Sequence, residues 1–81
     1  MNVTVYGTST CLHCTAAKDF LALIGIPFKE VDVGADPVAA QEMVNRTGQR
    51  SVPVIDVNGT IVVGFNRNAL LDSLRASGFL V

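Results

Sequence analysis

The chain has 81 residues, of which 49% are hydrophobic and 16% are charged, and its formal net charge is −1. This length fits one small domain over residues 1–81, and the lack of a cluster of Lys and Arg argues against binding to nucleic acid. The longest apolar stretch, residues 20–26, is far shorter than the ~20 residues that a membrane-spanning helix needs.

The first predicted element is a strand over residues 2–6, because polar and apolar residues alternate there until Gly7. The same segment has neither the basic start nor the apolar core of a secretory signal, so we expect a cytoplasmic protein. Thiols are kept reduced in that compartment, and a structural disulfide is therefore not expected.

A helix is predicted next, from Leu12 onward, after the small hydroxyl residues at positions 8–10 that are typical of helix starts. Gly25 ends this helix, and Pro27 cannot continue it. Apolar residues recur at helical spacing within it: Leu12, Ala16, Phe20, Leu23 and Ile24.

A second strand is predicted over residues 28–33, where apolar and polar side chains alternate again. The following helix has Asp36 as its N-cap and Pro37 at its first position, which are the residue types preferred there. It ends before Gly48.

The third predicted strand covers residues 52–57, and the Asn-Gly pair at 58–59 is a strong signal for a hairpin turn. Residues 60–63 then form a fourth strand antiparallel to the third. Asn66 or Asn68 caps the last helix.

The predicted order is strand, helix, strand, helix, hairpin, helix (βαβαββα). A strand–helix–strand crossover needs a parallel strand pair, whereas a tight hairpin needs an antiparallel one. The fold class is therefore α/β, with three helices covering a four-stranded mixed sheet.

Cys11 and Cys14, the only cysteines, form a C-x-x-C motif between the first strand and the first helix. The thiolate is the nucleophile in thiol–disulfide exchange, and the N–H groups and dipole at a helix start favour that anion. We predict a catalytic pair in which Cys11 attacks an external disulfide. Cys14, one turn further along and more enclosed, would resolve the mixed disulfide.

Metal binding is the main alternative use of such a pair. A structural zinc site usually takes four ligands, and the motif offers only two cysteines and His13, so no metal site is expected within one chain. An iron–sulfur cluster shared between two chains stays open, because two copies supply four thiolates. The dithiol redox interpretation is favoured.

The segments VTVYGTSTCLHC, SVPVI and NGTIVVGF resemble those of a glutaredoxin, and the resemblance covers essentially the whole chain. It implies a thioredoxin fold and a monomeric enzyme without a bound cofactor that reduces protein or glutathione mixed disulfides. It also implies a cis peptide bond before Pro53, with the backbone of Val52 turned outward beside Cys11 to pair with substrate.

Several positions depart from the glutaredoxins that bind glutathione. These commonly have a lysine where Thr8 stands, and a Gly-Gly pair followed by acidic residues. Here Gly64-Phe65 is followed by Arg67, which would repel the γ-glutamyl amine. Glutathione is thus a candidate reductant with weak expected affinity.

The Gly64-Phe65 pair is instead similar to the redoxins that serve ribonucleotide reductase and take electrons from thioredoxin reductase. Those redoxins usually have Gln at the position of His13 and Trp-Ser at Val62-Val63. The electron source is therefore left open between glutathione and thioredoxin reductase.

The residues predicted to contact substrate surround the motif or lie on the loops expected to face it. Core packing is the alternative for Tyr6 and Phe65, and a plain surface position is the alternative for Arg50 and His13. His13 would otherwise stabilise the Cys11 thiolate. The full set is Tyr6, Leu12, His13, Arg50, Val52, Pro53, Gly64 and Phe65. Lys18 is expected to be solvated, with a contribution of positive charge to the thiols as the alternative.

Overall fold

A computed structural model describes residues 2–80. Its elements follow the predicted order: β1 (Val3–Gly7), α1 (Leu12–Leu23), β2 (Lys29–Asp32), α2 (Pro37–Thr47), β3 (Val54–Val57), β4 (Thr60–Val63) and α3 (Arg67–Ala76). The predicted fold class is confirmed.

The sheet has the strand order β2-β1-β3-β4, with β1 parallel to β2 and the other pairs antiparallel. β1 is therefore a central strand, and its C-terminal residue, Gly7, lies near the middle of one end of the sheet. Residues 8–11 connect Gly7 to α1, which brings the C-x-x-C motif to the same end of the sheet.

The hydrophobic core lies on both faces of the sheet. On one face Val5 and Ile55 pack with Leu21 of α1 and with Leu70 and Leu74 of α3. The other face carries a smaller cluster, in which Tyr6 and Val54 pack with Met43 of α2. The alternation of side chains along each strand accounts for this division.

The buried stripe of α1 differs from the apolar residues that first indicated the helix. Cys14, Ala17 and Leu21 are fully buried, whereas Leu12 and Leu23 are 85% and 84% exposed. Residues spaced by three and four positions lie on one helix face, so both sets form stripes. Packing against β1 selects the stripe that contains Cys14.

The helix starts partly follow the prediction. Asp36 caps α2 and Asn66 caps α3, which decides between the two asparagines proposed for α3. The cap of α1 is Cys11 itself, so the expectation of a hydroxyl cap at positions 8–10 was wrong.

The third strand begins at Val54 and not at residue 52 as predicted. The Val52–Pro53 peptide bond is cis, as the resemblance implied. Pro53 has no N–H to donate to the strand ladder, which agrees with its place outside β3. Within residues 2–80, none of the helices has the length and apolar character needed to cross a membrane.

Candidate active site

Cys11 occupies the N-cap of α1 in an extended backbone conformation, with φ −88° and ψ 113°. Its sulfur accepts a hydrogen bond from the backbone N–H of Cys14 at 3.1 Å. The side chain is half-buried, so the sulfur is accessible from solvent while it contacts the helix start. An N-cap normally supplies an oxygen acceptor, and here the sulfur takes that place.

The surroundings of Cys11 lower the pKa of its thiol below the ordinary value. The largest cause is a hydrogen bond from the Cys14 side chain, which is partly offset by desolvation. The backbone N–H groups of Cys14 and His13 and the charge of Lys18 act in the same direction as the first cause. The geometry therefore favours the Cys11 thiolate, which is the reactive form in thiol–disulfide exchange.

The surroundings of Cys14 have the opposite effect on its thiol. Its side chain is fully buried, and burial together with the hydrogen bond to Cys11 raises the pKa of its thiol. The two thiols are both free, which describes the reduced state of the pair.

Gly7 makes the burial of Cys14 possible. A Cβ atom at this position would lie 2.9 Å from both the Cβ and the sulfur of Cys14, which is too close for real atoms. The sequence identified Gly7 only as the end of a strand, and the close packing of Cys14 against it was missed. The one available signal was a glycine at the strand end that faces the motif.

The loops predicted to contact substrate are joined by a backbone hydrogen bond. The Pro53 carbonyl accepts the N–H of Gly64 at 2.8 Å, so the segment before β3 and the segment after β4 lie side by side. Gly64 has φ +75°, a conformation that favours glycine. Val52 is half-buried and Pro53 is buried.

An apolar surface runs along the outside of α1. We call Leu12, Ala16, Phe20 and Leu23 the outer stripe; they follow the helical repeat and begin next to Cys11. Ala16, Phe20 and Leu23 line a groove of about 440 Å³ together with Asp19, Phe65 and Arg67.

Phe65 meets the outer stripe through an aromatic contact. The ring centroids of Phe20 and Phe65 are 5.8 Å apart at 51°, and the Arg67 guanidinium lies 5.4 Å from the centroid of Phe20. Phe65 also packs against the core on its inner side and is half-buried. The Phe65 ring therefore contacts the hydrophobic core and also lines the groove.

The remaining predicted residues are divided between core and surface. Tyr6 is only 4% exposed and packs in the α2-side core, which favours the core alternative for this residue. His13 and Arg50 are exposed. The Lys18 side chain is 23% exposed and its Nζ lies 2.6 Å from Oε1 of the exposed Glu30, so the lysine is partly solvated and also forms an ion pair. Within residues 2–80, no three His, Cys, Asp or Glu side chains converge to hold a metal ion.

Comparison with known proteins identifies the family of this chain. The Glutaredoxin family model matches residues 3–62. A glutaredoxin-like 8.6 kDa protein in the rubredoxin operon of Clostridium pasteurianum is 39% identical over 72 residues, which cover 89% of this chain and 95% of that protein. Glutaredoxin 3 of Escherichia coli K12 is 31% identical over 72 residues, with 89% and 87% covered.

Solved structures give the same result. The glutaredoxin from Archaeoglobus fulgidus superposes with a TM-score of 0.84 at 28% identity, over 91% of this chain and 86% of that one. The glutaredoxin-like protein NrdH-redoxin from Escherichia coli, described as having a thioredoxin-like activity profile, superposes with a TM-score of 0.77 at 26% identity. That match covers 89% of this chain and 93% of that one.

The opposite pKa shifts of the two thiols predict selective alkylation. In the folded, reduced protein at pH 7, iodoacetamide should modify Cys11 and leave Cys14 intact, because only the first is accessible as a thiolate. The rate at Cys11 should level off at a lower pH than the rate of the urea-unfolded protein, as followed by mass spectrometry. Equal modification of both thiols in the folded state would contradict this.

The contact between Gly7 and Cys14 predicts the effect of Gly7→Ala. The new methyl group must displace the start of α1, at a cost of about 1–3 kcal/mol in the free energy of unfolding. It should also weaken the Cys14 N–H bond to Cys11 and move the alkylation profile of Cys11 to higher pH. Val57→Ala, in the buried core at the far end of the sheet, is the matched control.

Val57→Ala should lower the free energy of unfolding by about 1–3 kcal/mol, because it opens a cavity. It should leave the alkylation profile of Cys11 unchanged. Urea unfolding measures the first quantity and iodoacetamide kinetics the second. An unchanged profile in Gly7→Ala would mean that the packing of Cys14 on Gly7 does not control the Cys11 thiolate.

Proposed function

The chain belongs to the glutaredoxin family and is a thiol–disulfide oxidoreductase; we propose that it reduces disulfides of protein substrates through Cys11 and Cys14. The observation that carries this proposal is the sulfur N-cap of α1, which favours one accessible thiolate beside one buried thiol. We propose that the single domain acts as a cytoplasmic monomer without a resident cofactor.

In the first step the Cys11 thiolate attacks one sulfur of a substrate disulfide. A bond forms between Cys11 and that sulfur, and the other substrate sulfur leaves as a thiolate and takes up a proton. The lowered pKa of Cys11 and its position at the surface support its role as the attacking group.

In the second step Cys14 attacks the Cys11 sulfur of the mixed disulfide. The bond between Cys11 and Cys14 forms, and the remaining substrate sulfur is released as a thiol. The placement of both sulfurs within the first turn of α1 supports this step, because Cys14 needs no large movement to reach Cys11. The substrate gains two electrons, and the protein is left oxidised.

The surface beside Cys11 supports a protein substrate. Leu12 is exposed next to the thiol, and the groove behind it joins Phe20 and Phe65. Apolar surface of this kind suits contact with another protein. Thr8 and Arg67 stand where the family's lysine and acidic residues would bind glutathione, which argues for weak binding of the free tripeptide.

A second candidate function keeps the chemistry and changes the electron source. The Gly64-Phe65 pair resembles redoxins that serve ribonucleotide reductase, and NrdH-redoxin is among the structural relatives. On this proposal thioredoxin reductase reduces the oxidised pair, and the protein donates electrons to ribonucleotide reductase. Glutathione is the alternative reductant.

Substitution of each cysteine by serine tests the proposed roles. Cys11→Ser should abolish the reduction of protein disulfides and of glutathione mixed disulfides, because no nucleophile is left at the surface. Cys14→Ser should abolish the first activity and retain the second, and should accumulate a mixed disulfide with a protein substrate that is visible on a non-reducing gel. Loss of both activities in Cys14→Ser would contradict the proposal.

The electron source is tested with the oxidised protein. We expect NADPH with a thioredoxin reductase to reduce it faster than NADPH, glutathione and glutathione reductase, because Arg67 repels the γ-glutamyl amine. Phe65→Ala should slow only the reaction with thioredoxin reductase. Val63→Ala, at a 50% exposed residue outside the groove, is the matched control. Faster reduction by glutathione would contradict the proposal that thioredoxin reductase is the electron source.

A further inference from the structure

Lys18 lies on α1 four residues after Cys14, and residues with this spacing are neighbours on a helix surface. Its ammonium forms an ion pair with Oε1 of Glu30 on β2 at 2.6 Å, where the Lys18 side chain is 23% exposed and the Glu30 side chain 55%. The ion pair directs the positive charge of Lys18 toward β2.

This charge lies on the Cys14 side of the helix. Glu30 stands opposite Val5 in the parallel register, and Gly7, on which Cys14 packs, is two residues further along β1. Two residues of a strand span about 7 Å. Helix side chains also tilt toward the N-terminus, which directs Lys18 toward the turn that contains Cys14.

The pKa of the Cys14 thiol is raised, first by burial and then by the hydrogen bond with Cys11, and the charge of Lys18 opposes this rise. The pKa of Lys18 is raised mainly by its hydrogen bond with Glu30, with a further contribution from Cys14. Cys11 is the other titratable side chain that acts on Cys14. Glu30 and Asp19 act on Lys18.

The positive charge of Lys18 matters most when Cys14 attacks the mixed disulfide. In the mixed disulfide, Cys11 carries no negative charge and no longer stabilises the proton on Cys14. Cys14 must still ionise in order to attack, although burial opposes its charged form. Lys18 then supplies the positive charge acting on the attacking sulfur.

We propose that Lys18, held by Glu30, is a positioning residue that favours the Cys14 thiolate during resolution of the mixed disulfide. This rests on the proposed roles of Cys11 and Cys14. Cys14 releases its proton to solvent and attacks the Cys11 sulfur, so that the bond between Cys11 and Cys14 forms. The bond from Cys11 to the substrate sulfur breaks, and that sulfur leaves with the electron pair and is protonated by water.

Stopped-flow reaction of the reduced protein with 5,5′-dithiobis(2-nitrobenzoate) separates the two steps. The first release of thionitrobenzoate reports formation of the mixed disulfide at Cys11, and the second reports its resolution by Cys14. Lys18→Met should slow the second phase by about three- to fivefold at pH 7 and the first phase by less than about twofold. The deficit should disappear at a pH where Cys14 is ionised in both proteins, and Lys18→Arg should restore the rate.

Lys29→Met is the matched control, because it removes the same charge from an exposed residue of β2 that is not among the groups acting on Cys14. Its second phase should stay within about twofold of the wild-type rate. An unchanged second phase in Lys18→Met overturns the proposal, as does equal slowing in Lys29→Met, which would make the effect one of net charge only. Absence of any second phase in the wild-type protein would overturn the proposed function itself, and the role of Lys18 with it.

Discussion

The hydrogen bond from the Cys14 amide to the Cys11 sulfur is the interaction on which the site depends. A helix start leaves N–H groups that need an acceptor, and a thiolate accepts them far better than a thiol does. Ionisation of Cys11 and formation of the first turn of α1 therefore stabilise each other. The same turn sets the position of Cys14 relative to Cys11, so a single local contact defines both the nucleophile and its partner.

The central position of β1 gives the two thiols their different environments. Because β1 has neighbours on both sides, its C-terminal end at Gly7 is enclosed, and Cys14 packs on it without access to water. Cys11, one turn earlier, lies where the chain emerges from the sheet. The hydrogen bond from the Cys14 thiol and the N–H groups of the helix start lower the pKa of Cys11, whereas burial and the same hydrogen bond raise the pKa of Cys14.

The surroundings of the two cysteines combine an ion pair on the β2 side of α1 with an apolar surface on the outer side of the helix. On the β2 side, Lys18 pairs with Glu30, and both side chains are partly exposed. On the outer side, the outer stripe and Phe65 present apolar side chains, and Arg67 lies over the Phe20 ring. This arrangement is the physical basis of the proposed preference for protein substrates over the free tripeptide.

The sequence by itself determined the order of the elements, the hairpin at Asn58, the cap at Asp36 and the place of the dithiol motif. Each of these depends on periodicity, capping or turn chemistry within a few consecutive residues. The buried face of α1, the contact of Gly7 with Cys14, the Lys18–Glu30 ion pair and the burial of Tyr6 were decided only by the tertiary structure. They join segments that are separate in the chain, and no local pattern records which side chains will meet when those segments pack.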